Sequence, residues 1–322
     1  MIKKLALSML IAAALPVSVS FAQSYPAKPI KWIVPLPPGG GADIVARNVA
    51  AKLSIGLGQQ VIIENRGGGG TIIGAQAVAR ADPDGYTLLL SNATTHAINP
   101  VLVKNLPYDA IKDFSPVSLI ANLPIILVTS PALQVQNVSE LVALAKSKPG
   151  SLSFASSGNG SSLHLLGELL KLKAQVKMLH VPYKGAGPAV TALLANEINF
   201  MFTSIPPIIA HVKAQKVRVI AVATPKRSPL MPDVPTIMEA GIAGVDAYSW
   251  NGISAPAGTS LEIINRLHAE VVKTMAMPDV IATLGNRGAE AVSTTPAEFA
   301  AFIKAEISKY DSVVKASGAT ID

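Results

Sequence analysis

The chain has 322 residues, with 27 lysines and arginines against 20 aspartates and glutamates and a formal net charge of +7. It has no cysteine, which excludes disulfides, zinc–thiolate centres, a thiol nucleophile and a lipid-modified cysteine. The basic residues are scattered, no run exceeds Lys226-Arg227 and aromatics make up 5% of the chain, so the charge describes a solvated surface and not a nucleic-acid partner.

Residues 1–22 read as a secretory signal peptide. MIKK is a basic start, LALSMLIAAALPVSV is an apolar stretch interrupted by Pro16, and Ser20-Phe21-Ala22 is a small-x-small cleavage site. Cleavage near Ala22/Gln23 predicts a periplasmic protein, and a chain of this size does not need disulfides there. The mature chain of about 300 residues exceeds one ordinary domain of ~100–150 residues, so two lobes are expected.

Short apolar runs then alternate with stretches of helical period, the pattern of a mostly parallel sheet covered by helices. IKWIV (30–34) is a strand leading into the turn PLPPGGGAD, after which Val45, Val49 and Leu53 mark one face of a helix. QQVIIEN (59–65) is a strand, IIGAQAVARA a helix and YTLLLSN (86–92) a third strand. In 106–130, VSLIA and IILVT read as two strands split by Asn122-Leu123-Pro124, where the chain crosses into a second lobe. There, VSELVALAKS is a helix capped by Asn137 with Glu140 three residues on. Strands at 152–156, 178–183, 198–204 and 217–224 alternate with helices in LHLLGELLKLK, PAVTALLANE and 206–215.

A proline-rich connection (226–244) leads back to a strand at 250–258, helices around 260–276 and 278–286, a short strand near 289–292 and a terminal helix from Pro296 to about Ser317. A lone strand with three helices makes a poor domain. These elements are expected to complete the first lobe, so that 23–122 and 246–322 form lobe 1 and 123–245 form lobe 2.

In open α/β sheets, ligands bind beyond the carboxyl ends of the strands. Three strand-to-helix loops are rich in glycine or small hydroxyl residues: PPGGGAD (37–43), SSGNGSSLH (156–164) and PYKGAG (182–187). Facing one another, they would line a cleft with backbone N–H groups, helix N-termini and hydroxyls, a surface for anions. No G-x-G-x-x-G and no phosphate-cradling P-loop is present, and no cofactor is expected. The five histidines lack metal-ligand spacing, so no metal is expected. Ser157 and His164, with Glu168 or Asp246, are the rival reading as an exported serine hydrolase, but no G-x-S-x-G elbow surrounds Ser157. Asp43 stands in a first helical turn, where it either caps the helix or meets a ligand ammonium. Lys184 is the one cation in these loops, and Trp250 either walls the cleft or belongs to the core.

The order PIKWIVPLPPGGGADIVAR, DPDGYTLLL, LPYDAIKDFSPVSLI, SFASSGNGSSLHLLGELL, HVPYKGAGPAVTALL, PDVPTIMEAG and WNGISAPAGT closely resembles the substrate-binding proteins of tripartite tricarboxylate transporters, the Bug family. The resemblance implies a type II periplasmic binding protein, a Venus flytrap whose two lobes, each a doubly wound mostly parallel sheet, are joined by a two-strand hinge. It also implies a monomer without enzymatic activity that closes on a small carboxylate (a di- or tricarboxylate, amino acid or aromatic acid). The partner would be a membrane permease or, as the alternative, a signalling receptor. Residue by residue, it implies backbone donors from Gly39, Gly40 and Gly41 and hydroxyl contacts from Ser91, Thr94, Ser157, Ser161, Ser162, Thr203 and Ser204. His164 would support the second loop. Pro38, Asp43, Gly160, Lys184, Gly185 and Trp250 complete the expected ligand-binding set. Leu36 stands where the family commonly has phenylalanine, which would reshape the pocket wall.

Overall fold

The computed structural model describes residues 25–317; the expected signal peptide and its cleavage point lie outside them. The apolar run Ile30–Val34 forms β1, buried at four of its five positions. Helix α1 (Gly41–Leu57) follows, with Val45, Val49 and Leu53 buried together with Ala46 and Ala50. It stops at Gly58, whose left-handed backbone (φ 70°) lets its N–H reach Ile55 O. β2 (Val61–Asn65), α2 (Ile72–Ala79) and β3 (Thr87–Asn92) complete the unit, and β1 pairs in parallel with both β2 and β3.

Beyond β3 the chain makes a π-helical turn, Thr94–Ile98, that runs into α3 (Asn99–Leu102). Sequence periodicity does not predict either. Side chains from elsewhere hold the turn: Asn92 Oδ1 accepts from Thr95 N at 3.0 Å, and His96 bonds Ala110 O and Ser91 Oγ, each at 3.0 Å.

The region expected to be two strands is one, β4 (Phe114–Thr129). Its partner changes where the break was expected. Residues up to Pro124 pair with β9 (Tyr248–Pro256), whereas Ile125 onward pair with β7 (Phe200–Ser204) and, from Ile126, with β8 (Arg218–Val222). Pro124 has no N–H to give a ladder, and it stands at the point where one set of partners ends.

The second unit starts with α4 (Val138–Ser147), where Asn137 Oδ1 accepts from Glu140 N at 2.9 Å while the Glu140 carboxylate accepts from Gln136 N and Asn137 Nδ2. Next come β5 (Ser153–Ser156), α5 (Ser162–Ala174), β6 (Leu179–Pro182), α6 (Ala186–Leu194), β7, α7 (Ile209–Lys213) and β8. β5 pairs in parallel with β6 and β7. The chain returns through β9, then α8 (Leu261–Met275), α9 (Pro278–Asn286), β10 (Glu290–Ala291) and α10 (Pro296–Ser317).

The strand path is β2-β1-β3-β9-β4-β7-β5-β6, with β8 and β10 also on β4. Each end of this mixed sheet is a parallel trio, and the antiparallel strands β9 and β4 lie between the trios. Helix α10 packs across both halves: Phe299, Ile303 and Tyr310 share a buried cluster with Trp250 of β9 and Leu165 of α5. Among the described residues no helix is long and apolar enough to cross a membrane.

Candidate functional site

Three helices begin at one cleft. α1 starts at Gly40, in extended backbone (φ −78°, ψ 168°) and without a side-chain cap; α6 starts at Gly185, also uncapped; α5 starts at Ser161, whose Oγ accepts from His164 N. The first helical bond of α1 is Ile44 N–H to Gly40 O at 3.0 Å. The N–H groups of Gly41, Ala42 and Asp43 therefore have no intrahelical acceptor, the arrangement that makes a helix N-terminus attractive to anions.

The cleft is lined by Leu36, Pro37, Gly40, Gly41 and Ala42 from the first loop, and by Asn92, Ala93 and Thr94 after β3. Ser157, Ser161, Ser162, Leu163, Gly185, Ala186 and Ser204 come from the second half, and Ser249 and Asn251 from β9. The space between these residues, open solvent at the mouth included, is about 650 Å³. No lining residue carries a charge. The hydroxyls of Thr94, Ser157, Ser162, Ser204 and Ser249 make no hydrogen bond with other described residues.

The two halves touch at the rim. A β-carbon built on Gly185 (φ 105°) would stand 3.3 Å from Pro37 Cγ, so the second half's loop lies against the first half's proline.

Buried groups behind the lining hold both loops. Asp43, 4% exposed, accepts from Gly39 N (3.0 Å), Arg47 Nε (3.0 Å) and Asn65 Nδ2 (2.9 Å). Burial pushes its pKa up, but the hydrogen bonds from Arg47, Gly39 and Asn65 outweigh burial and hold it below the ordinary carboxylate value. Asp43 thus serves the loop and is not among the lining residues. In the second loop, Ser161 Oγ donates to Gly158 O (2.8 Å), Ser156 Oγ accepts from Gly158 N (3.1 Å), and His164 Nδ1 accepts from Gly160 N (3.1 Å). His164 stacks on His180 with centroids 3.9 Å apart, and His180 Nε2 lies 2.7 Å from Ser156 Oγ. Burial, then the neighbouring His164, depress the His180 pKa to about 4.

Of the expected ligand-binding residues, Gly40, Gly41, Thr94, Ser157, Ser161, Ser162, Gly185 and Ser204 line the cleft. The other nine do not, and most have other tasks. Gly39 (φ 83°) makes the turn and donates to Asp43; Gly160 donates to His164. Ser91 Oγ is bonded to Ser254 Oγ (2.8 Å) and His96; Thr203 Oγ1 donates to Ser204 O (3.1 Å). Pro38 and Lys184 are exposed. Trp250 is a core residue, 0% exposed, with Nε1–H donated to Glu306 at 2.8 Å. The nucleophile pair does not assemble: His164 Nδ1 is taken by Gly160, Nε2 faces Glu168 at 3.7 Å, and neither nitrogen bonds Ser157.

Sequence reasoning missed Asn92, Ser249 and Asn251. The one local signal is a polar residue at an otherwise apolar strand position, as in LLLSN and WNGI.

The family model described as "Tripartite tricarboxylate transporter family receptor" matches residues 45–319. Protein BugT of Bordetella pertussis is 38% identical over 309 residues, covering 96% of this chain and 94% of BugT. A Rhodopseudomonas palustris protein solved with adipate superposes with a TM-score of 0.89 at 33% identity, covering 92% of this chain and 99% of that one. MatC from the same organism, solved with bound malate, gives 0.85 at 33% identity, covering 90% and 100%.

Proposed function

The chain belongs to the tripartite tricarboxylate transporter family of receptors, and from that premise we propose that it captures a small carboxylate by closure of its two halves. It then delivers the acid to a membrane permease of the tripartite type. It is a binding protein of the periplasmic type and not an enzyme. The observation that carries the proposal is the convergence of three helix N-termini and five free hydroxyls on one cleft with no charged lining residue.

Such donors suffice without an arginine clamp. Hydrogen bonds to a charged group contribute about 1.5–3 kcal/mol each, so four or five give roughly 6–15 kcal/mol gross. Micromolar affinity needs about 8 kcal/mol net. The relatives solved with adipate and malate support an acid of four to six carbons. The protein acts as a monomer, exported with loss of residues 1–22.

Thermal-shift titration of the mature protein with adipate, malate, succinate, citrate, glutamate and nicotinate tests the binding step. At least one acid should raise the melting temperature with concentration, by mass action. No shift with any of them sinks the proposal. Recovery of the permease on the loaded protein, but not on a variant that fails to bind, tests delivery.

A further inference from the structure

Asn92 and Asn251 face each other across the β3–β9 ladder, where they are direct register partners. Direct partners in an antiparallel pair present their side chains on the same face, with β-carbons about 4.5–5.5 Å apart. Both residues line the cleft, and they are only 6% and 1% exposed. Each side chain is half satisfied. Asn92 Oδ1 accepts from Thr95 N (3.0 Å) and Thr95 Oγ1 (3.3 Å), while its Nδ2 has no partner. Asn251 Nδ2 donates to Trp250 O (2.9 Å), while its Oδ1 has no partner.

These bonds fix which way each amide points. A backbone N–H requires the oxygen of Asn92, and a backbone carbonyl requires the nitrogen of Asn251. These two facing, cleft-lining residues thus leave one donor and one acceptor unmet, buried where unmet polar groups are costly. The other buried side-chain atoms without partners, such as Trp32 Nε1 and Tyr310 Oη, belong to residues outside the cleft lining.

Resting on the carboxylate reading above, we infer that Asn92 and Asn251 form a neutral notch that selects acids bearing a hydroxyl group. A hydroxyl accepts from Asn92 and donates to Asn251 through one oxygen. An ammonium only donates, and would set a cation against the Asn92 amide hydrogens. A second carboxylate only accepts, and would meet the Asn251 oxygen. A methylene leaves both atoms unpaired. The ligand class is thus a hydroxy acid, whose carboxylate takes the helix N-termini while its hydroxyl fills the notch.

Three triplets that differ at one carbon test this by calorimetric titration: succinate, malate and aspartate; glutarate, 2-hydroxyglutarate and glutamate; propionate, lactate and alanine. In at least one triplet the hydroxy acid should bind about tenfold or more tighter than both isosteres, the scale of a buried group left unpaired. Asn251→Leu, and the smaller Asn251→Ala, should abolish the preference, so that the hydroxy acid and its deoxy partner bind each variant with equal affinity. Equal binding of the deoxy or amino member in every triplet that binds overturns the inference, because water then fills the notch, and leaves the carboxylate reading standing. Preference for the hydroxyl that survives both substitutions overturns it too. If none of the nine acids nor any of the panel above binds, the carboxylate reading itself fails and the inference falls with it.

Discussion

Gly41 and Ser204 meet across the cleft so closely that a β-carbon on Gly41 would lie 2.6 Å from Ser204 Oγ and 3.0 Å from Leu123 Cδ2. The first turn of α1 thus rests against the end of β7, which belongs to the other half. Only a residue without a side chain permits that approach with the serine hydroxyl left in the cleft.

Gly41→Ala should therefore turn the Ser204 hydroxyl away and hold the halves apart. We expect affinity for the acid to fall about tenfold, the value of one hydrogen bond of about 1.4 kcal/mol, with the ligand-free melting curve nearly unchanged. Calorimetric titration beside a thermal melt checks both halves of the statement; unchanged affinity would mean that the contact is not formed on closing.

Gly40 differs. Its φ of −78° is open to any L-residue, and the nearest atom to an added β-carbon is Pro37 O at 4.0 Å. A valine there would fit the backbone and fill the cleft instead. Gly40→Val should abolish detectable binding and shift the ligand-free melting temperature by only a few degrees, since a poor N-cap costs about 1 kcal/mol. Retained affinity would put the ligand elsewhere.

Trp250→Phe should do the reverse. The substitution removes the one hydrogen bond drawn to Glu306, a carboxyl whose pKa burial already raises. Stability should drop by about 1 kcal/mol, the net value of one hydrogen bond to a partly buried carboxyl, while ligand affinity stays within about twofold because Trp250 does not line the cleft. Denaturant melts and titration separate the two; a large loss of affinity at unchanged stability would restore Trp250 to the site.

Two histidines predict a pH response. Burial depresses His96 to about 4, partly opposed by its bond to Ala110 O, and His180 also lies at about 4. In the unfolded chain both return to about 6.5. Between these values the unfolded state binds more protons, so the stability due to these groups is full above about pH 6.5 and is lost as pH falls toward 4. The slope is at most roughly 1.4 kcal/mol per pH unit for each histidine. Melting temperature measured from pH 7 to 4.5 should fall, and less steeply in His180→Gln; a flat curve refutes the assignment.

Much of the fold is legible because its signals are local. Asn137 and Glu140 are three residues apart and cap α4 by themselves, and the buried stripe of α1 is one helix's own periodicity. β4 is not legible as one strand because Pro124 looks like a breaker until the exchange of partners at that point is known. The π-helical turn at Thr94–Ile98 depends on Asn92 and on Ala110, which no periodicity connects. The site divides in the same way. Glycines and serines in strand-to-helix loops announce themselves, whereas Asn92 and Asn251 become neighbours only through the register of β3 on β9. Trp250 and Asn251 are adjacent and so face opposite sides of their strand. Reading WNG alone does not say which of the two meets the cleft.

The uncharged lining has a consequence for how the receptor responds to its surroundings. A pocket that relies on lysine or arginine loses attraction as dissolved ions screen its charges, over a Debye length of about 10 Å at 0.1 M. On the proposed reading the acid would instead be met by peptide dipoles and hydroxyls. Affinity should then vary little between dilute and concentrated salt, so that capture would be equally effective in either.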